Sequence, residues 1–258
     1  MMEQDNNGGT GKPSLSPSLA KSFFFIAPAA LVLATSTVAW LADRRATAPQ
    51  DEAEVVALTV SVVFIVAHWT FILLLVQVYR ALRKDSKGDT IYWGFRFDQL
   101  DWWMRLFIFV HPIGIGMSVL RSVGPCLQPI HVVLSFLMGA LNGPIEEYFW
   151  RVLILQKAGS DALLSKSFRL VASSVMFSAW HVAWVYFNFP PHKVFRATLG
   201  SLGATLVFGI AWGLIAQKHR DNFFEVGLHH GLFNILAIFP AQFNSAFGAC
   251  EAIPDFFS

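Results

Sequence analysis

The sequence predicts an all-α fold: a polytopic membrane helix bundle with about seven transmembrane helices. Three observations carry this. Apolar residues make up 55% of the 258 positions, charged residues only 14%, and the mean hydropathy is +0.51; a soluble domain ordinarily carries about 25% charge. Seven apolar stretches are separated by polar connections. None shows the period-two alternation of a membrane barrel, so the backbone polar groups must be satisfied inside helices. The 25 Phe and nine Trp suit a surface that meets lipid. The same composition excludes a disordered chain, and a net charge of +2 offers no basic excess for nucleic acid.

Residues 1–22 read as a flexible polar tail rich in Asn, Gly, Ser and Pro. Segment one, Phe23 to Ala42, is uncharged. The apolar core of a secretory leader runs about 7–15 residues. This stretch is longer, follows a long tail and lacks a small-x-small exit, so it reads as a retained anchor. Segment two runs from Val55 to Val78. Segment three, Leu106 to Leu120, is bounded by Arg105 and Arg121 and interrupted by Pro112, and reads as a marginal crossing. Segment four starts at Ile130, meets Glu146 and Glu147, and continues to Leu155; Gly143-Pro144 is expected to kink or restart its helix. Segment five is Leu170 to Phe189, ending at Pro190-Pro191. Segment six is Ala197 to Ala216. Segment seven runs from Val226 to about Phe243, interrupted by Pro240. A crossing needs roughly 20 apolar residues, and most of these segments qualify.

Lys and Arg in the connections set orientation. With seven crossings, thirteen fall on one side and five on the other. The bias puts the N-terminus in the cytoplasm, and the short tail and loops point to a bacterial plasma membrane. The longest polar connection, 79–105, mixes Arg80, Arg83, Lys84 and Lys87 with Trp93, Phe95, Phe97, Trp102 and Trp103. It reads either as an interfacial helix on anionic headgroups or as a plain cytoplasmic loop. Cys126 and Cys250 both fall outside in this topology, where a bond between them is open.

Of the seventeen acids, Glu146 and Glu147 sit deep inside an apolar run. Ionisable groups within a membrane are costly and usually functional. Glu147 and Arg151 are i and i+4 and can pair as a structural bridge; Glu146 points about 100° away and has no local partner. His181 lies in segment five. His230 and Asn234, i and i+4, share one face of segment seven, and His229 is turned from it by about 100°. His68, His111 and His131 read as satisfied bundle residues. Counted from the cytoplasmic ends, Glu146, His181, His230 and Asn234 lie roughly 9–17 Å deep, in one layer. A carboxylate, two imidazoles and an amide form a plausible hydrolytic set.

These residues resemble the CPBP family (CAAX proteases and bacteriocin-processing enzymes, also called Abi). Glu146-Glu147-Tyr148-Phe149-Trp150-Arg151 matches its EExxxR motif, Phe177 to His181 its FxxxH motif, and His230 to Asn234 its HxxxN motif. The three occur in the family's order over about Pro129 to Pro240. The chain then divides into the tail, N-terminal membrane helices over 23–128, a CPBP-like core over 129–243 and a C-terminal tail over 244–258.

The resemblance implies an intramembrane endopeptidase acting on membrane-associated proteins or peptides. In that reading Glu146 is the general base, helped by His181; His230 and Asn234 stabilise the oxyanion; Glu147 and Arg151 hold the first motif; Phe177 packs beside His181. Two readings from other classes stand beside it: a non-catalytic membrane scaffold of the same fold, and a small transporter using Glu146 and the histidines. No Gly-x-Ser-x-Gly, paired membrane aspartates or HExxH motif supports another hydrolytic class. No cofactor is expected. Zinc is the alternative, with Glu146, His181 and His230 as ligands. Against zinc, ligating histidines usually donate their second N–H to a carboxylate, carbonyl or water, and Glu147, the nearby membrane carboxylate, is already claimed by Arg151.

Overall fold

The structure is a computed structural model and describes residues 15–43, 53–83, 100–188, 194–218 and 223–241. Every regular element among the described residues is helical. Helix α1 spans Pro17–Ala42, α2 Ala53–Leu82, α3 Trp102–Val123 and α4 Pro129–Glu147. After α4 the chain continues as a π-helix, Tyr148–Ala158, and a single turn α5, Gly159–Asp161. Helix α6 spans Lys166–Asn188, α7 Val194–Lys218 and α8 Phe224–Phe233, which continues as a second π-helix, Asn234–Ile238.

Five of these, α1, α2, α3, α6 and α7, are long and apolar enough to cross a membrane. Segment three is among them: its helix extends past both flanking arginines to 22 residues. Large apolar side chains such as Leu33, Val110, Phe136 and Val207 are exposed on the outer faces, as expected where helices meet lipid. The protein is an integral membrane protein.

Local sequence explains where the helices begin. Pro17 occupies the first turn of α1, where its missing N–H costs nothing, and Ser16 Oγ accepts from Leu19 N at 3.4 Å. Pro129 starts α4, and His131 Nδ1 accepts from Gln128 N at 3.4 Å. The expected restart at Pro144 does not occur. The chain stays helical through Pro144 to Glu147 and then widens into the π-helix. Pro144 removes one ladder donor, and the change of register follows four residues later. π-Turns gather at functional sites, and here both begin beside residues of the three motifs.

Helices α4 and α8 approach through facing glycines. Gly139 and Gly143 on α4, and Gly227 and Gly231 on α8, are each four apart. A Cβ on Gly143 would collide with Gly227 O and Gly231 N, and one on Gly231 would lie 3.1 Å from Gly139 O. Small residues at this spacing let two membrane helices pack backbone to backbone. The close contact sets Glu146 and Glu147 opposite His230.

One buried apolar cluster runs through the bundle and includes Phe24, Phe64, Trp150, Phe177, Trp180 and Trp212. At one end of it, Tyr79 Oη donates to Asp161 Oδ2 at 2.9 Å, Arg83 Nε lies 3.7 Å from the same oxygen, and Lys218 bonds Asp101. The connections that the charge count placed on one side therefore meet. Most of the basic-aromatic connection, residues 84–99, lies outside the described residues, as do Cys250 and the Cys126 side chain.

Candidate active site

Glu146 and Glu147 end α4, His181 lies midway along α6, and His230 and Asn234 straddle the passage of α8 into its π-turn. The structure brings Glu146, His181, His230 and Asn234 to the wall of one cavity of about 210 Å³. Aromatic side chains, among them Phe64, Trp184, Phe208 and Phe233, form a large part of the remaining wall. An apolar cavity with a few convergent polar groups is the usual form of a small binding or catalytic site.

The two glutamates divide the work of the layer. Glu147 is fully buried and accepts twice: Oε2 from Arg151 Nε at 2.8 Å, and Oε1 from His230 Nδ1 at 2.9 Å. The expected i,i+4 bridge is therefore present, but Arg151 does not monopolise the carboxylate. The argument against zinc that rested on such a monopoly is corrected: Glu147 is also the orienting carboxylate of His230. The Arg151 guanidinium lies 4.8 Å from the Phe177 ring centroid, where cation–π attraction offsets its burial.

Glu146 is 4% exposed. Its Oε1 accepts from His68 Nε2 at 2.9 Å. Its Oε2 is buried without a hydrogen-bond partner among the described residues and lies 3.7 Å from His230 Nε2. His68 was read from sequence as a satisfied bundle residue. The structure gives it a buried partner, the central carboxylate, 78 residues away in the chain. The available signal was an ionisable side chain inside an otherwise uncharged apolar segment. Asn142, one turn before Glu146, also lines the cavity and accepts from Trp69 Nε1 at 2.9 Å.

His181 Nδ1 donates to Phe177 O at 2.9 Å, which leaves Nε2 as the ring's acceptor. Phe177 packs edge-on against His181 with ring centroids 4.6 Å apart. His230 is held on a second side by Trp212, whose ring stacks on it at 4.6 Å. Ser178 is engaged elsewhere: its hydroxyl donates to Leu202 O at 2.8 Å and accepts from Thr205 Oγ1 at 3.0 Å, joining α6 to α7.

His229 does face away from the cavity, yet it is fully buried. Trp212 Nε1 donates to His229 Nδ1 at 3.1 Å, and His229 Nε2 donates to His111 Nδ1 at 3.2 Å. It belongs to a separate polar chain behind Trp212, so turning from the cavity does not make it dispensable.

A catalytic zinc would need about three protein ligands at 2.0–2.2 Å. Among the described residues no three His, Cys, Asp or Glu side chains converge closely enough to hold a metal ion. Glu146 Oε1 is engaged by His68, and Glu146 Oε2 lies 3.7 Å from His230 Nε2.

Residues 128–236 match the family model described as type II CAAX prenyl endopeptidase Rce1-like. This stretch is similar to that family. It runs from the start of α4 past Asn234 and contains all three motifs, in agreement with the CPBP resemblance. No curated protein and no solved structure matches the chain. The Rce1-like stretch supplies Glu146, His181, His230 and Asn234, whereas His68 and Trp69 come from α2, before it.

Proposed function

We propose that the protein is an intramembrane endopeptidase that hydrolyses peptide bonds of membrane-associated proteins or peptides, with prenylated CAAX-type chains as the substrate class to test first. The observation that carries the reading is Glu146 Oε2: a buried carboxylate oxygen with no hydrogen-bond partner among the described residues, on a cavity wall shared with two histidines and an amide. The match to a CAAX endopeptidase family supports the same reaction class.

In this reading a water held between Glu146 and His181 attacks the scissile carbonyl. Glu146 Oε2 takes one of its protons and later delivers it to the leaving amine. His181 Nε2 accepts from the same water, its ring fixed by the bond from Nδ1 to Phe177 O. Asn234 donates its amide N–H to the developing oxyanion. His230 joins it from Nε2. Because Nδ1 already donates to Glu147, that contact requires the imidazolium form, with Glu147 as its counter-ion. Glu146, Glu147, Arg151 and His230 then sum to zero charge, which suits a buried site. Exclusion of bulk water by the aromatic wall strengthens each contact. The positive-inside bias supports a cytoplasmic N-terminus in this reading.

The test is incubation of the purified full chain in detergent with a farnesylated CAAX-type peptide and its unprenylated twin, read by mass spectrometry. A single internal cut in the prenylated peptide is expected. Absence of any cut in either peptide, with the protein shown to be folded, contradicts the reading.

A further inference from the structure

We infer that His68 is a positioning residue for Glu146, contributed by α2 from outside the Rce1-like stretch; the inference rests on the peptidase reading above. Val60, Phe64, His68, Ile72 and Val76 recur every four residues along α2, and all are buried. An apolar side chain would fill the same stripe without burying a polar group, whose desolvation must be offset by a partner. The hydrogen-bond partner found for His68 is Glu146 Oε1, at 2.9 Å; its Nδ1 has none among the described residues.

The ring is held for that contact. Trp180 stacks on His68 with centroids 4.1 Å apart and planes 9° from parallel, and Phe64 stacks on Trp180 at 5.2 Å. Trp180 is the residue before His181, so α6 orients both histidines. The next residue of α2, Trp69, donates to Asn142, one turn before Glu146. Helix α2 therefore grips one face of α4 at two successive turns. A donor fixed on Oε1 stops the carboxylate from rotating and leaves Oε2 as the oxygen available to water. A charge-assisted bond of this kind is among the stronger ones in a protein.

The experiment compares wild type, His68→Leu, His68→Gln and Glu146→Gln, each as the full chain in detergent. Gln places an N–H donor near the position of Nε2; Leu does not. With the farnesylated peptide, His68→Leu should lose about 10²-fold in kcat, the scale of a misplaced catalytic group. KM should change much less than kcat, because the contact removed is to the catalytic carboxylate, although His68 also lines the cavity wall. His68→Gln should recover most of the loss. Equal turnover by His68→Leu and wild type would overturn the inference, as would a Gln variant no better than Leu. A second reading needs no substrate. The infrared carboxylate band that disappears in Glu146→Gln should shift in His68→Leu and return towards its wild-type position in His68→Gln. A band unmoved by both variants overturns the inference even if the peptide assay has shown the peptidase reading to be wrong.

Discussion

His230 Nδ1 donates to Glu147 Oε1 across 2.9 Å, while Arg151 Nε donates to the other oxygen of the same carboxylate at 2.8 Å. One buried glutamate thus joins the first and third motifs of the chain. Glu147→Ala strips two buried partners at once. Breaking a buried pair typically costs about 3–5 kcal/mol, so Glu147→Ala and Arg151→Ala should both unfold at markedly lower temperature and lose activity. Thermal unfolding in detergent checks this; two stable, fully active variants would show that the bridge carries nothing.

Asn234→Ala should keep a fold close to wild type and lose about 10²–10³ in kcat, the usual effect of removing one oxyanion donor. His181→Ala and His230→Ala should be more severe, close to Glu146→Gln. Steady-state rates on the farnesylated peptide decide the order. An Asn234→Ala enzyme at wild-type rate would remove Asn234 from the oxyanion site.

Gly143→Ala should destabilise the bundle, because its Cβ would collide with the α8 backbone at Gly227 and Gly231. Overpacking of this kind costs about 1–3 kcal/mol, and separation of α4 from α8 moves Glu146 away from His230. Gly203→Ala is the control, since its Cβ would meet nothing within 4 Å. Equal unfolding temperatures for the two variants would contradict the close approach.

His229→Ala should lower stability more than catalysis. It orphans the Trp212 Nε1 donor, a loss of about 1–3 kcal/mol for a buried group. It leaves the cavity wall complete, so turnover should stay within about tenfold, or 1.4 kcal/mol of barrier. A folded His229→Ala protein with no turnover would show that the two histidine clusters act as one.

Thorough chelation should leave turnover of the purified enzyme unchanged. Loss of activity with chelator and its return with near-equimolar zinc would make Glu146, His181 and His230 ligands in a rearranged site.

What sequence made legible follows the range of the signals. Glu147 and Arg151 are four apart on one helix, so their pairing could be read locally, and so could the different faces of His229 and His230. His68 could not be assigned this way. Its contact with Glu146 spans 78 residues, and helical periodicity says which face a residue occupies without saying which helix it meets. The four glycines at the α4–α8 contact are visible as spaced pairs, yet their meaning depends on the partner helix. The π-helices at Tyr148–Ala158 and Asn234–Ile238 leave no periodic mark, because the register change is absorbed within one continuous helix. Pro144 pointed to the right neighbourhood, where the helix widens instead of restarting.

In the proposed mechanism Glu146 is the base that activates water. The most direct measurement is kcat of purified Glu146→Gln beside wild type, on the same farnesylated peptide and with matched unfolding temperatures. Gln keeps the size of the side chain and an acceptor for His68, and removes the carboxylate oxygen that takes the proton. Loss of hydrolysis to background in a folded protein is the expected result; substantial cleavage by Glu146→Gln would contradict the general-base role.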